Sequence, residues 1–382
     1  MGLAELERLY GAEHVRPIVG AALLDIEAGE INFKRLGGTL KVAKLLTILP
    51  SADWKSAYDY LAENIPKHLK YLPEGKFTLG VSVYGPTFDI RKLNADLLSL
   101  KKVIRASGRS VRIVPNKTLE LNSAQVLHNK LTTKGGWELL LVRHDGRFYL
   151  AQTLFVQDIE AYGARDQARP KRDARVGMLP PKLAQIMINL AKPPDLGTVW
   201  DPFCGTGVLL QEALLMEYDV IGTDIDKRMI DYAKDNLDWL YEKYDVSKNG
   251  KLSMEYKLEV ADAITYAPKE NFDAVVSETY LGRPLTRVPS PDELNKIIQD
   301  VNTILKKFLN NLAGQVKKGT PICLAVPAWQ IEPGKFKHLP IIDQITDMGY
   351  NYLDLKHVQR QKLLYFREGQ TVARQLIVLT KA

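Results

Sequence analysis

Sulfur is scarce in this chain: of 382 residues two are cysteine, Cys204 and Cys323, and neither forms a C-x-x-C pair. The six histidines lie at no H-x-x-x-H or Cys/His spacing that suits zinc. A disulfide framework and a structural metal are therefore excluded as what holds the fold, and no metal site is expected. Long apolar runs are lacking too, since none approaches the roughly 18 uncharged residues that a membrane span requires. The first ten residues carry Glu5, Glu7 and Arg8 where a secretory leader has a basic start and an apolar core. Leu6 occupies the position at which a myristoylation motif has Ser or Thr. A cytoplasmic protein with no membrane partner is expected. Acid is not in excess either: Lys and Arg outnumber Asp and Glu by 52 to 45, giving a net charge of +7. That balance permits a polyanionic partner without requiring one.

What is present is ordinary globular material, 46% hydrophobic and 25% charged, in a chain long enough for two or three domains. Residues 1–75 mix short strand-like and helical pieces and read as a small α+β unit. Phe77 to Tyr84 (FTLGVSVY) is a strand that stops at Gly85-Pro86, and Asp89 to Lys102 repeats Ile90, Leu93, Leu97 and Leu98 on one helical face. Strands at Trp137 to Arg143 and Arg147 to Phe155 flank the hairpin signal His144-Asp145-Gly146. Residues 76–160 are thus expected to form a second unit. Over 161–180 Gly, Pro and charge replace periodic apolar residues, as in an interdomain linker. From Pro181 to the end, strands and helices alternate, which predicts a mostly parallel α/β sheet wound on both faces, with an antiparallel hairpin at 363–379.

The first chemical signal is Thr198-Val199-Trp200-Asp201-Pro202-Phe203-Cys204-Gly205-Thr206-Gly207, an apolar strand running into a Gly-rich turn and a helix. Gly205 and Gly207 permit a tight turn and close approach of backbone to a ligand at the C-terminal edge of the sheet. Asp201 argues against a dinucleotide, because a carboxylate in this turn repels a pyrophosphate. It suits the ammonium or hydroxyls of S-adenosylmethionine, so that cofactor is expected at Asp201, Phe203, Cys204, Gly205, Thr206 and Gly207. A second strand, Val220 to Asp224, ends 23 residues after Asp201, where Asp224 can accept both ribose hydroxyls with Ile225 beside it, and Asp226 caps the next helix. Asp262, after the third strand, is placed to accept the adenine amine with the backbone of Ala263 against the ring. An ordinary loop aspartate is the alternative there.

The fourth strand ends Ser277-Glu278-Thr279-Tyr280. Exocyclic base amines are poor nucleophiles, because their lone pair is delocalised into the ring, so an enzyme must accept hydrogen bonds from the amine and aim it. Ser277 or Glu278 suits that task and Tyr280 suits stacking on an extruded base, unless all three merely end a strand. Residues 101–117 hold Lys101, Lys102, Arg105, Arg109, Arg112 and Lys117 with no acid, and 165–175 hold Arg165, Arg169, Lys171, Arg172 and Arg175 against two acids. Such runs can be plain solvated faces; two of them in one chain favour an RNA-binding track.

Taken together, these residues resemble the THUMP-domain RNA methyltransferase family over nearly the whole chain, and its tRNA guanosine methyltransferase branch in particular. Arg35-Leu36-Gly37-Gly38-Thr39-Leu40-Lys41 is similar to the family's ferredoxin-like N-terminal segment. Leu79 to Gly85 with Ser123 to Val126 is similar to its THUMP fold, and Gly177 to Ala184 to the lead-in of its catalytic domain. D-P-F-C-G-T-G at Asp201 to Gly207 is the most specific match. The resemblance implies S-adenosylmethionine at that turn, ribose at Asp224, structured RNA such as tRNA as partner and a guanine amine as target. One motif departs, at three of its four positions: where the family has D-P-P-Y or N-P-P-Y, this chain has S-E-T-Y, and Ser in first place is shared with related DNA amino-methyltransferases. Three functions follow as expectations: an RNA base methyltransferase, a catalytically silent RNA-binding protein that keeps a cofactor pocket, and a DNA amino-methyltransferase.

Overall fold

The computed structural model describes residues 1–85, 88–173, 178–244, 246, 254–285 and 289–382. Pro86 of the expected turn, Arg175 of the basic linker and Gly177 of the lead-in lie outside the described residues. The chain divides into two compact units: Glu13–Lys34 with Thr39–Ala161, and Met1–Ala12 with Arg35–Gly38 and Tyr162–Ala382. The opening helix α1 (Gly2–Tyr10) thus belongs to the second unit. Among the described residues no helix is long and apolar enough to cross a membrane.

The first unit begins with a hairpin of β1 (Val15–Ile18) and β2 (Ala21–Leu24). There follow β3 (Lys41–Leu49), α2 (Trp54–Leu69), β4 (Phe77–Tyr84), α3 (Ile90–Ala106), β5 (Val111–Ile113), α4 (Ser123–His128), β6 (Gly136–His144) and β7 (Arg147–Val156). One five-stranded sheet results, in the order β3-β7-β6-β4-β5. The sheet corrects the boundary expected at residue 75, because β3 pairs along its length with β7, from Lys41↔Val156 to Leu49↔Phe148. Strand pairing across a hundred residues leaves no mark on local composition. α2 and α3 start where Asp53 and Asp89 accept the amides of Ser56 and Arg91. They bury Leu61, Ile65, Leu69, Leu93, Leu97 and Leu100 against Phe77, Leu79, Val81 and Val83. Within this unit the carboxylate of Glu138 is fully buried and accepts from Lys41 Nζ, from Ser82 Oγ at 2.6 Å and from Thr153 Oγ1 at 2.7 Å.

Residues 159–167 form α5 (Ile159–Gln167), a helix over part of the stretch expected to be an irregular linker. The second unit continues with α6 (Pro181–Ala191), β8 (Thr198–Asp201), α7 (Val208–Leu215), β9 (Asp219–Asp224), α8 (Lys227–Tyr244), β10 (Tyr256–Val260), β11 (Ala274–Glu278) and α9 (Pro291–Ala313). Strands β12 (Pro321–Glu332), β13 (Lys335–Lys337), β14 (Tyr350–Tyr352), β15 (Leu364–Tyr365) and β16 (Val372–Lys381) complete it. The sheet order is β10-β9-β8-β11-β12-β16-β14, with β13 attached to β12 and β15 to β16. The first five strands are parallel, and β16 runs antiparallel between β12 and β14. This is the expected α/β Rossmann-like methyltransferase architecture, a mostly parallel sheet with an antiparallel end.

The period of two along each strand divides the core into two layers. Val199, Val276, Cys323 and Ala325 join the side covered by α6, α7 and α8, while Trp200, Val275, Ile322 and Leu324 join the side covered by α9. The N-terminal pieces are tied in by polar bonds. Buried Glu5 accepts the amides of Gly37 and Gly38, each at 2.9 Å, and Asn189 Nδ2 at 2.7 Å. Asn189 also donates to the carbonyl of Arg35 at 2.7 Å. The Arg35–Gly38 part of the segment likened to a ferredoxin-like domain is therefore built into the methyltransferase unit.

Candidate cofactor and active site

β8, β9 and β11 are parallel, so their C-terminal residues Asp201, Asp224 and Glu278 reach one edge of the sheet. After Asp201 the chain turns through Gly205 (φ +50) and Gly207 (φ +81), with the Gly207 amide on the carbonyl of Cys204 at 2.8 Å. A Cβ at Gly207 would lie 3.2 Å from that of Ala233, whereas one at Gly205 would meet nothing within 4 Å. Gly207 is thus required for packing and Gly205 borders open space. The buried Cys204 donates its amide to the carbonyl of Thr223, pinning the turn to β9. Phe203 packs edge-on to Phe308, and the carbonyl of buried Thr206 accepts from Asn236 Nδ2 at 2.8 Å.

Asp224 braces the turn. Its Oδ2 accepts the Gly205 amide at 3.0 Å and its Oδ1 the Asp226 amide at 2.9 Å. The Ile225 amide also bonds to this carboxylate, which keeps acceptor capacity for a ribose hydroxyl. Burial raises the pKa of Asp224 above its ordinary value, against the pull of these amides. Ile225 beside it is 70% exposed, an apolar side chain facing open space. Asp226 accepts the Arg228 amide at 2.9 Å and caps α8, as expected. Asp262 accepts the amide of Ile264 at 3.0 Å, which gives it a turn-forming role, and the buried Ala263 presents its carbonyl to Asn311.

The fourth strand differs from expectation. Ser277 is fully buried and donates its hydroxyl to Asp201 Oδ1 at 2.6 Å. Its proton is committed to the acid at the end of β8, and full burial keeps its oxygen from the surface a substrate amine would approach. Asp201, 2% exposed, also accepts the Phe203 amide at 3.2 Å. Its pKa is pushed up to about 7, chiefly by burial, with Asp224 and Glu278 adding negative potential and the Ser277 bond opposing. The carboxylate of Glu278 is paired with Arg374 of β16. Thr279 is buried and bonded to the carbonyl of Ala325, and Tyr280 is 44% exposed. Sequence reasoning missed Arg374. Its one local signal is a charged residue inside the apolar run of β16, VARQLIVLTK.

The basic runs fare unequally. In the first, Lys102, Arg105, Arg112 and Lys117 are exposed, while Lys101 and Arg109 are half-buried and Arg109 donates to the carbonyl of Pro73. In the second, Arg165 is buried in a two-pronged pair with Glu212, 2.7 and 3.3 Å. Arg169 is 2% exposed, so the expected RNA contact there has no surface to act from. Lys171 exchanges backbone bonds with the side chain of Asn236, 2.9 and 3.0 Å, and pairs with Asp235. Asn236, which also holds the Thr206 carbonyl, thereby links this segment to the cofactor turn. Arg172 is exposed, and the Lys171 side chain is 41% exposed in its pair with Asp235.

Residues 169–311 match the family described as RMKL-like, methyltransferase domain. A curated relative from Methanothermobacter thermautotrophicus, named tRNA (guanine(10)-N2)-dimethyltransferase, is 27% identical over 291 residues, 73% of this chain and 76% of its own length. One of the same name from Methanocaldococcus jannaschii is 30% identical over 211 residues, 55% of this chain and 54% of its own length. In fold the chain is similar to the crystal structure of TrmN from Thermus thermophilus, with a TM-score of 0.52 at 15% identity, over 100% of this chain and 96% of that one. A parallel sheet with an antiparallel end, a Gly-rich turn after its first strand and these matches together make the chain a methyltransferase built on the S-adenosylmethionine-dependent fold.

Proposed function

We propose that this chain methylates an exocyclic amine of a base in tRNA, with S-adenosylmethionine as donor. The observation that carries the reading is the convergence of Asp201, Asp224 and Glu278 at one sheet edge around a turn open at Gly205. The names of the curated relatives support tRNA as the RNA and guanine N2 as the amine. Asp224 would hold the ribose hydroxyls through its remaining lone pairs, Ile225 and Ala263 would border the adenine with Asp262 accepting its amine, and Asp201 would face the ammonium end. The cofactor supplies an electrophilic methyl group when bound. Glu278 accepts a hydrogen bond from the target amine and turns its lone pair toward that methyl. Tyr280, exposed at the strand end, stacks on the extruded base. Ser277 serves as a brace for Asp201. In the other unit the exposed Lys102, Arg105, Arg112 and Lys117 bind phosphates, and the largely buried THUMP-like residues 79–85 and 123–126 form part of the scaffold of that unit.

The test is transfer of tritium-labelled methyl groups to bulk tRNA by the purified chain, followed by nucleoside analysis of the product. Methylguanosine in the product is the expected result, and absence of transfer to any cellular RNA sinks the reading. A silent RNA-binding protein is the second reading. What favours it is that Ser277 is spent on Asp201 and that Glu278 is paired with Arg374.

A further inference from the structure

Glu278 owes its setting to a residue 96 positions away in the chain. β11 and β16 both pair with β12, where Glu278 lies opposite Ala325 and Arg374 opposite Pro327. Because β16 runs antiparallel, its first residues arrive at the edge where the parallel strands end. Arg374 Nε donates to Glu278 Oε1, and a second guanidinium nitrogen lies 3.5 Å from the carbonyl of Met178. Both side chains are nearly buried, at 7% and 13% exposure. Among the described residues nothing bonds to Glu278 Oε2.

We propose that Arg374 is the positioning residue of the methyl transfer: it holds Glu278 ionised and fixed through Oε1, which leaves Oε2 for the target amine. The proposal rests on the methyltransferase reading above. As the amine nitrogen bonds to the methyl carbon, the methyl–sulfur bond breaks with its electron pair kept on sulfur. The nitrogen, now cationic, releases one proton to Glu278. A carboxylate fulfils this role only if ionised beforehand, and its surroundings oppose that. Burial raises the pKa of Glu278, and Arg374 is what lowers it. The charged groups facing it are Arg374 from β16 and Asp201 from β8, the latter itself close to Asp224 of β9. With two acids on that side, the guanidinium is the cation that offsets them.

The experiment compares the full-length chain with Arg374→Ala, Arg374→Lys and Glu278→Gln. It records kcat for methyl transfer to bulk tRNA across pH, S-adenosylmethionine affinity by calorimetry, and the carboxyl titration of Glu278 by carbon-13 NMR of the cofactor-free protein. Arg374→Ala is expected to move the acidic limb of the kcat profile and the Glu278 titration together to higher pH, at near-unchanged cofactor affinity. On the acidic limb, below the wild-type midpoint, the rate should then fall about tenfold for each pH unit by which the limb moves. Arg374→Lys should restore much of the profile, and Glu278→Gln should abolish the limb. A uniform drop of the Arg374→Ala profile with the limb and the titration unmoved, or an equal loss of cofactor affinity, overturns the proposal and leaves the methyltransferase reading standing. An inert wild-type chain overturns both.

Discussion

An aspartic acid buried to 2% exposure, with one hydroxyl and one amide as partners, holds its proton far longer than a solvated one. For Asp201 the sign of the consequence is fixed. Its folded pKa of about 7 stands above the ordinary value of 3.8, so its contribution to stability is complete below the lower value and is lost as pH rises through about 7. The cofactor-free protein should therefore lose thermal stability over that window. Glu5, Glu212, Asp224 and Glu278 shift in the same direction, which makes the difference between wild type and Asp201→Asn the informative quantity. Calorimetry should show S-adenosylmethionine binding more tightly as pH rises through 7, because the ionised acid is what attracts the ammonium. An affinity flat between pH 6 and 8 removes Asp201 from that role. At Asp224 the prediction concerns the ribose bonds themselves. Asp224→Ala should cost about 1.5–3 kcal/mol for each charge-assisted ribose bond removed, and unchanged affinity would place the ribose elsewhere.

Single elements gain their stability from partners that their own sequence does not name. β3 carries Lys41, whose ammonium reaches the buried Glu138 of β6, and Ser82 of β4 and Thr153 of β7 donate to the same carboxylate. Four strands of the first unit thus meet at one carboxylate. Removing the acid strands a lysine whose side chain is 9% exposed. Glu138→Ala should therefore destabilise this unit by about 3–5 kcal/mol, as an uncompensated buried charge does. Urea denaturation followed by tryptophan fluorescence reads it, and a loss under about 1 kcal/mol would mean that water reaches the lysine. In the other unit Asn236 of α8 plays a comparable part, bonding the Thr206 carbonyl and both backbone groups of Lys171. The segment expected to be a basic linker is in this way a support for the cofactor turn.

For the whole molecule the net charge of +7 acts through where it is exposed. Lys102, Arg105, Arg112 and Lys117 remain at the surface of the first unit, while Arg165 and Arg169 of the second are turned inward. The prediction is a salt-dependent affinity for tRNA that is carried by the first group. Lys102→Glu with Arg105→Glu in the full chain should weaken binding alike across RNA sequences. It should also reduce the slope of log affinity against log salt by about two, roughly one for each phosphate that is no longer neutralised. Filter binding between 50 and 200 mM salt measures this, and a slope unchanged by the double reversal would move the RNA to another surface.

The strands and helices are legible in the sequence because their signals are local. Apolar period, caps and Gly-rich turns place β4 at Phe77–Tyr84 and β8 at Thr198–Asp201, and the spacing from Asp201 to Asp224 picks out two acids that do share an edge. The same locality conceals the rest. Nothing near Lys41 tells that β3 completes a sheet with β7, and nothing near Gly37 tells that its amide belongs to Glu5. Ser277 and Glu278 stand out by their position at a strand end, yet their chemistry depends on Asp201 and Arg374, 76 and 96 residues distant. Arg169 offers a charge, and burial withdraws it. Backbone preference and side-chain period act within a few residues, so residue order alone sets which residues can form each element and where a turn can open to a ligand. The tertiary structure decided which hydroxyl is spent, which acid is paired and which cation faces water, since these follow from strand order and desolvation.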